Sequence, residues 1–195
     1  MKNILIARCD VNANIGMGHI RRLSNICEKL KKEFNIIFIL NKKNNYSKNL
    51  NKFKKIYLYE NNENFSNTNE INKLKKIFLK YKPELFIVDD YRFNISIEKK
   101  IRNYCKLIVI DDLANRKHKC DLLIDFGWYR NKTYKRYNKL INKDAKLLLG
   151  PKYFPLDDKF KIKEKKVINT KKNFLIYFGG GNFPKNTILF INKLF

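Results

Sequence analysis

A glycine-rich turn near the N-terminus holds the first residues whose types and spacing could do chemistry. Gly16 and Gly18 stand one residue apart and directly before His19, in a chain that has only 7 glycines. A short apolar run precedes the turn and an amphipathic stretch follows it, which predicts a position between a strand and the N-terminus of a helix. Glycine lets the backbone approach a ligand closely, and the N–H groups of a helix N-terminus bind anions. The turn is therefore predicted to bind an anionic ligand.

His19 would add a proton acceptor to this turn. The positive end of a helix dipole favours the neutral imidazole, which can accept a proton from water or a hydroxyl group. The pattern lacks the third glycine of the dinucleotide-binding fingerprint. From these residues alone a second interpretation stays open, in which the glycines only shape a tight turn and His19 only caps the helix.

Strand-like and helix-like segments alternate through most of the chain. Apolar runs predict strands at 3–7, 36–40, 56–59, 85–90, 106–112 and 120–126, and amphipathic stretches predict helices at 19–34, 71–81 and 96–105. Near-continuous apolar strands separated by helices are typical of a parallel sheet that is covered on both faces. The predicted fold class is α/β, with a doubly wound, mostly parallel, Rossmann-like sheet.

Composition divides the chain into three parts. Residues 1–150 form the predicted first domain, and the lysine-rich residues 151–173 are predicted to be a linker. Residues 174–195 have the pattern of a strand, a glycine turn and a helix that begins near Pro184. One strand and one helix cannot bury their own apolar faces, so we expect this part to be the beginning of a truncated second domain.

The net charge of +25 raises the possibility of a nucleic-acid partner, because clustered cations neutralise phosphates. However, 35 lysines stand against 8 arginines and are spread over every helix-like segment. Proteins that read phosphates or bases favour arginine forks interleaved with aromatic side chains. We therefore expect the charge to serve solubility and expect no nucleic-acid partner.

Metal, disulfide and membrane signals are weak. The 4 cysteines are scattered without the spacing of zinc ligands or of a disulfide framework. No apolar run approaches the roughly 18 residues of a membrane span, and no signal peptide is recognisable at the N-terminus. We expect free thiols, no metal, no membrane partner and a cytoplasmic location. His118, between two lysines, is expected to be a solvated loop residue.

Carboxylates mark the ends of the predicted strands. Asp10 follows the first strand, and two adjacent pairs end later ones, Asp89 with Asp90 and Asp111 with Asp112. Successive residues of a strand point to opposite faces, so at most one member of each pair should face a cleft. Each carboxylate could instead cap a turn or a strand end, and that alternative stays open.

Four segments of the chain together resemble one known family. They are "IGMGHIRR" (15–22), "VIDDLANRKHKCDLLID" (109–125), "LLLGPKYFPL" (147–156) and "FGGGN" (178–182). Their order and spacing are similar to those of the nucleotide-sugar hydrolases of pseudaminic acid biosynthesis, whose named activity is UDP-2,4-diacetamido-2,4,6-trideoxy-β-L-altropyranose hydrolase. The resemblance implies the N-terminal half of a GT-B fold. It also implies attack of water on the anomeric carbon with inversion, release of UDP, and no metal or cofactor.

The resemblance assigns roles to single residues. His19 is implied to be the general base in the loop that contains Gly16 and Gly18, and Arg22 matches the basic residue that follows this loop. Asp10, Asp89 and Tyr91 are implied to line the sugar pocket, and a second glycine turn is implied to contact the substrate, namely Gly179, Gly180, Gly181 and Asn182. Two readings of single residues stay open. Arg22 could be a phosphate contact or a solvated helix residue, and Tyr91 could be a core residue.

The chain also departs from the family pattern. Asn182 follows three glycines where Gly-Gly-Thr-Asp is usual, and Asp90 stands where histidine is common. The exact sugar is therefore not implied. Two alternatives remain, a GT-B glycosyltransferase that passes the sugar to an acceptor, and a noncatalytic fragment that retains only the first domain.

Overall fold

The computed structural model describes residues 2–10, 17–43, 45–59, 65–157, 160 and 192. Gly16, most of the predicted linker and, apart from residue 192, the predicted second domain with its glycine turn at 179–182 lie outside the described residues.

One sheet of seven parallel strands organises the described residues. The strands are β1 (Asn3–Cys9), β2 (Phe34–Leu40), β3 (Lys54–Tyr57), β4 (Leu85–Asp89), β5 (Lys106–Ile110), β6 (Leu122–Asp125) and β7 (Lys146–Leu149). Their order in the sheet is β3-β2-β1-β4-β5-β6-β7, and every neighbouring pair is parallel. The predicted α/β, Rossmann-like fold class is confirmed.

Helices cover both faces of this sheet. They are α1 (Gly18–Leu30), α2 (Asn67–Tyr81) and α3 (Ile95–Ile101), with short 3-10 helices at Asn45–Leu50, Arg130–Lys135 and Pro151–Tyr153. Leu23 of α1 packs with Leu5 and Phe38 on one face. Phe78 of α2 and Ile97 of α3 pack with Phe86 on the other face. Apolar side chains on both sides of the central strands explain why those strands have continuous apolar sequences.

Capping explains where two of the helices begin. Ser66 Oγ accepts from the Asn69 N–H at 3.2 Å at the start of α2, and Asn94 Oδ1 accepts from the Ser96 N–H at 3.0 Å at the start of α3. In α1, by contrast, Met17 at the N-cap makes no side-chain cap bond and the first turn contains no acidic residue. Among the described residues, the amino end of α1 thus differs from the other two in having no side-chain oxygen that accepts from its N–H groups.

Several element bounds differ from the prediction. The helix predicted to reach residue 34 ends at Leu30, because Phe34 already pairs with Asn3 as the first residue of β2. Strand β7, which was not predicted, pairs in parallel with β6 from Lys146 onward. Its first two residues are exposed and the strand lies at the sheet edge, so its sequence shows no long apolar run.

None of the helices in the described ranges has the length and apolar character that crossing a membrane requires. Cys9, Cys27, Cys105 and Cys120 are free thiols. Among the described residues, no group of three or more His, Cys, Asp or Glu side chains is arranged to hold a metal ion.

Candidate active site

The candidate site lies where the strand order reverses. From β1 the chain winds outward through β2 and β3, and it then returns to place β4 on the other side of β1. In open α/β sheets the crevice for ligands forms at the carboxyl ends of the two strands at such a switch point. Here those ends are Cys9 of β1 and Asp89 of β4, which are paired neighbours.

His19, in the first turn of α1, meets Asp89 at this crevice. His19 Nδ1 lies 2.6 Å from Asp89 Oδ1. Asp89 is completely buried and His19 is 8% exposed. An ionised carboxylate can only accept a hydrogen bond, so we assign the ring proton to Nδ1, which leaves Nε2 as the acceptor. Among the described residues, no hydrogen bond to Nε2 is formed.

Arg22 lies one helical turn after His19 and binds two carboxylates at once. Its Nη2 donates to Asp89 Oδ1 at 2.6 Å, and its Nη1 donates to Asp112 Oδ2 at 2.9 Å. Burial alone would lower the pKa of Arg22, but the hydrogen bonds and charges of these carboxylates hold it above its usual value. The side chain is 14% exposed. Arg22 is thus a largely buried cation rather than a solvated helix residue, and it fixes the carboxylate that orients His19.

Tyr91 closes the group from the loop after β4. Its ring packs edge-on against the His19 ring with 4.8 Å between centroids, and its hydroxyl donates to Asp112 Oδ1 at 2.6 Å. Partial burial, followed by the hydrogen bond to Asp112, raises the pKa of Tyr91 to about 12. The ring is 40% exposed, so Tyr91 is not a core residue.

Asp112 belongs to this group, although sequence reasoning did not select it. Burial by itself would raise the pKa of Asp112, but hydrogen bonds from Tyr91 and Arg22 outweigh burial and lower it. The carboxylate is therefore ionised at neutral pH. The signal available in the sequence was its place at the end of a strand, which it shares with Asp89.

Asp10 is placed in a second polar cluster. Its Oδ2 accepts from Asn41 Nδ2 at 2.7 Å and lies 3.0 Å from Arg92 Nη2. Arg92 also binds Asp90, which lies 3.6 Å from the buried Arg8. The structure thus brings His19, Arg22, Asp89 and Tyr91 into direct contact, whereas none of the contacts described for Asp10 reaches that group.

The two aspartate pairs divide between the faces of the sheet as predicted. Asp89 and Asp112 both bind Arg22 of α1 on one face. On the other face, Asp90 binds Arg92, and Asp111 accepts from Tyr137. At most one member of each pair therefore lies on the side of α1, because the alternation of strand side chains continues for one residue after β4 and for two residues after β5.

The expectation of a solvated His118 was wrong. His118 is 2% exposed, and its Nδ1 lies 2.7 Å from Glu98 Oε1 of α3 while its Nε2 lies 3.7 Å from Asp111 Oδ2. The neighbouring lysines suggested solvent, but the chain turns back here so that the His118 N–H donates to the Leu140 carbonyl at 2.7 Å. The buried His118 side chain therefore stabilises the fold and does not line the candidate site.

The buried His118 predicts a pH dependence of stability. Burial would lower its pKa, but Asp111 and Glu98 raise it above the usual 6.5. The folded protein thus holds this proton more tightly than the unfolded chain, so the stabilisation is complete below about pH 6.5 and is lost as pH rises through the raised value. Urea unfolding at several pH values should show the free energy of unfolding falling more steeply with rising pH in the unmodified protein than in His118→Gln. Parallel curves for the two proteins would contradict this assignment.

Two adjacent arginines of α1 provide a matched test of the site. Arg22 binds Asp89 and Asp112, whereas Arg21 is exposed. Loss of the Arg22 fork should let Asp89 and the His19 ring shift, and a misplacement of about 1 Å can cost up to about 10²-fold in rate. We expect Arg22→Gln to lower kcat of the hydrolysis that the family resemblance implies by at least about tenfold and Arg21→Gln to leave it unchanged. Equal kcat values for the two variants would contradict the assignment of Arg22 to the candidate site.

A groove of about 620 Å³ lies at the opposite, amino-terminal edge of the sheet. Arg102, Tyr104 and Asp121 are among the residues that line it. It contains none of the predicted site residues and is remote from the switch point.

Comparison with known proteins gives a distant relative. An uncharacterized protein of Methanocaldococcus jannaschii is 30% identical over 189 residues, which cover 91% of this chain and 36% of the relative. The chain thus spans about a third of the length of that protein. None of the protein-family models matches the chain. Because this relative is uncharacterized, the function is inferred from the residues of the candidate site.

Proposed function

We propose that this chain supplies the general base of a nucleotide-sugar hydrolase. The enzyme would release UDP from a UDP-2,4-diacetamido-2,4,6-trideoxyhexose in pseudaminic acid biosynthesis. The observation that carries the proposal is the 2.6 Å contact between His19 Nδ1 and the buried Asp89 at the switch point of the sheet. A histidine oriented by a buried carboxylate is the usual arrangement of a general base. The resemblance of residues 15–22 and 109–125 to that hydrolase family supplies the substrate class.

The amino end of α1 suits the anionic part of such a substrate. Its N-cap residue Met17 gives no side-chain cap bond, and its first turn contains no acidic residue. A Cβ added at Gly18 would meet no heavy atom of the described residues within 4 Å. A helix N-terminus whose N–H groups have no side-chain partner among the described residues can bind a phosphate oxygen.

The reaction would proceed in one displacement. A water oxygen attacks the anomeric carbon while His19 Nε2 accepts one of its protons, and Asp89 stabilises the imidazolium that forms. The bond between the anomeric carbon and the phosphate oxygen breaks, and its electron pair leaves with UDP. Attack opposite the leaving group inverts the anomeric configuration. Arg22 and Asp112 hold the catalytic pair in place and do not themselves exchange a proton.

Product analysis in labelled water tests the proposal. Protein expressed from its complete reading frame is incubated with the UDP-sugar in H₂¹⁸O without any acceptor, and the products are identified by mass spectrometry and NMR. We expect free sugar with ¹⁸O at the anomeric carbon, inverted configuration and unlabelled UDP. Label in UDP would show cleavage of the P–O bond and contradict the mechanism. Release of UDP only when an acceptor is added would identify a glycosyltransferase.

A further inference from the structure

The segment of residues 127–136, called the 127–136 loop below, displays aromatic side chains to solvent beside the site. The loop begins two residues after the carboxyl end of β6. Trp128 is 63% exposed and Tyr134 is 60% exposed, and Trp128 is the single tryptophan of the chain. Aromatic side chains that are exposed together beside a site are candidates for a binding surface.

The backbone of the loop is held firmly beneath these side chains. The Gly127 N–H donates to Asp125 Oδ1 at 2.8 Å. A Cβ at Gly127 would overlap the Tyr129 ring, so only glycine allows this ring to fold back at this position. The Tyr129 hydroxyl then donates to the Asp112 carbonyl at 3.0 Å. The loop is thus fixed to the same residue whose carboxylate binds Arg22.

Contacts at the far end of the loop repeat this anchoring. Arg136 Cζ lies 3.4 Å from the centroid of the Tyr129 ring, and Arg136 Nη2 donates to the Asp112 carbonyl at 2.9 Å. The buried Thr133 hydroxyl accepts from the Tyr129 N–H at 2.8 Å and donates to the Arg130 carbonyl at 2.9 Å. This holds Arg130 at a φ of 52°, a left-handed conformation that non-glycine residues seldom adopt. Strained backbone that is stabilised by its surroundings is concentrated at functional sites.

The charge of this region has one sign. Residues 127–143 contain six cationic side chains and no acidic one. Arg130, Lys132 and Lys135 are exposed. Aromatic faces together with cations suit a ligand that has both a flat ring and negative charge.

We propose that the 127–136 loop binds a nucleoside diphosphate, with the base stacked on the exposed aromatic rings and the diphosphate held by the exposed cations. The proposal rests on the proposed function, because it identifies the ligand with the leaving group of that reaction. It assigns a nucleotide contact to the first domain in addition to the contacts that the family resemblance implies for residues 179–182. A nucleotide is favoured over a nucleic acid because the loop is short and is fixed to Asp112 of the site.

The single tryptophan makes the test specific. UDP is titrated into the 195-residue chain while tryptophan emission is recorded, and stacking on Trp128 should give a saturable change. Uridine and inorganic pyrophosphate are titrated separately and should each bind at least about tenfold more weakly than UDP, because each offers one half of the ligand. Added salt should weaken UDP binding more than uridine binding, since only the phosphate contact is electrostatic.

Variants away from the tryptophan preserve the fluorescence signal. Tyr134→Ala and Arg130→Gln should each weaken UDP binding at least about fivefold, through a lost stacking surface and a lost phosphate contact. Tyr104→Ala and Lys99→Gln are the matched controls, because both residues are exposed but lie away from the loop, before β5 and on α3. The controls should bind UDP unchanged. Circular dichroism spectra of all variants verify the fold.

Three outcomes would overturn the proposal. The first is that tryptophan emission does not change when UDP is added, and the second is that UDP binding weakens equally in the loop variants and the controls. The third is that emission responds to oligouridylate but not to UDP, which would indicate that the ligand is a nucleic acid. Failure of the proposed function is distinguishable from these outcomes. Hydrolysis without a UDP response refutes only the loop proposal, whereas a UDP response without hydrolysis refutes only the reaction.

Discussion

Replacement of His19 by alanine is expected to lower turnover of the UDP-sugar by about 10² to 10⁴-fold and to leave the protein folded. The ring supplies the acceptor for the water proton, and no other histidine is near, since His118 is bound to Glu98 in the interior. The fold should survive because Asp89 keeps two hydrogen bonds from Arg22. The measurement is kcat from UDP release, together with a urea unfolding curve.

His19→Gln separates catalysis from capping. The glutamine amide can still donate to Asp89 but cannot accept a proton, so we expect turnover as low as that of His19→Ala. If either variant has the same kcat as the unmodified protein, His19 is not the general base and has only a structural role at the start of α1. The Arg21→Gln variant serves as the control on the same helix.

Replacement of Arg8 by methionine should be the most damaging change to stability, at about 3–5 kcal/mol of the free energy of unfolding. The side chains of Arg8 and Glu70 are both 0% exposed, and Arg8 Nε lies 2.8 Å from Glu70 Oε1. Burial alone would lower the pKa of Arg8, but Glu70 and Asp90 raise it, so the charge persists in the interior. Without Arg8, the carboxylate of Glu70 would stay buried without its cation. Urea unfolding with linear extrapolation measures the loss.

A double variant and a control complete this experiment. Glu70→Gln added to Arg8→Met removes the buried charge while its amide oxygen still accepts from the Tyr59 hydroxyl, which now binds Glu70 Oε2. The double variant should therefore recover at least half of the lost stability. Arg102→Met breaks a half-buried pair with Asp121 and should cost no more than about 1 kcal/mol. A cost for Arg8→Met as small as that of Arg102→Met would contradict the assigned role of the Arg8–Glu70 pair.

Local patterns predicted the strands and helices because each depends on a few neighbouring residues. The apolar runs around Phe38 and Phe86 became strands β2 and β4, and Leu23 and Phe78 lie on the buried faces of their helices. The alternation of strand side chains likewise predicted that Asp89 and Asp90 separate. Strand β7 escaped prediction because an edge strand with exposed residues lacks the apolar run of a central strand.

The sequence by itself determined the α/β class, the position of His19 at the start of a helix and the carboxylates at the strand ends, since period, turn chemistry and residue type are local properties. Only the tertiary structure decided which of these residues meet. Arg22 joins Asp89 and Asp112, which are 67 and 90 positions away along the chain, and His118 is buried against Glu98. The order of strands in the sheet determines these contacts, because placing β4 beside β1 brings one strand end to the first turn of α1. Strand order depends on the packing of the whole domain, which no short segment of sequence contains.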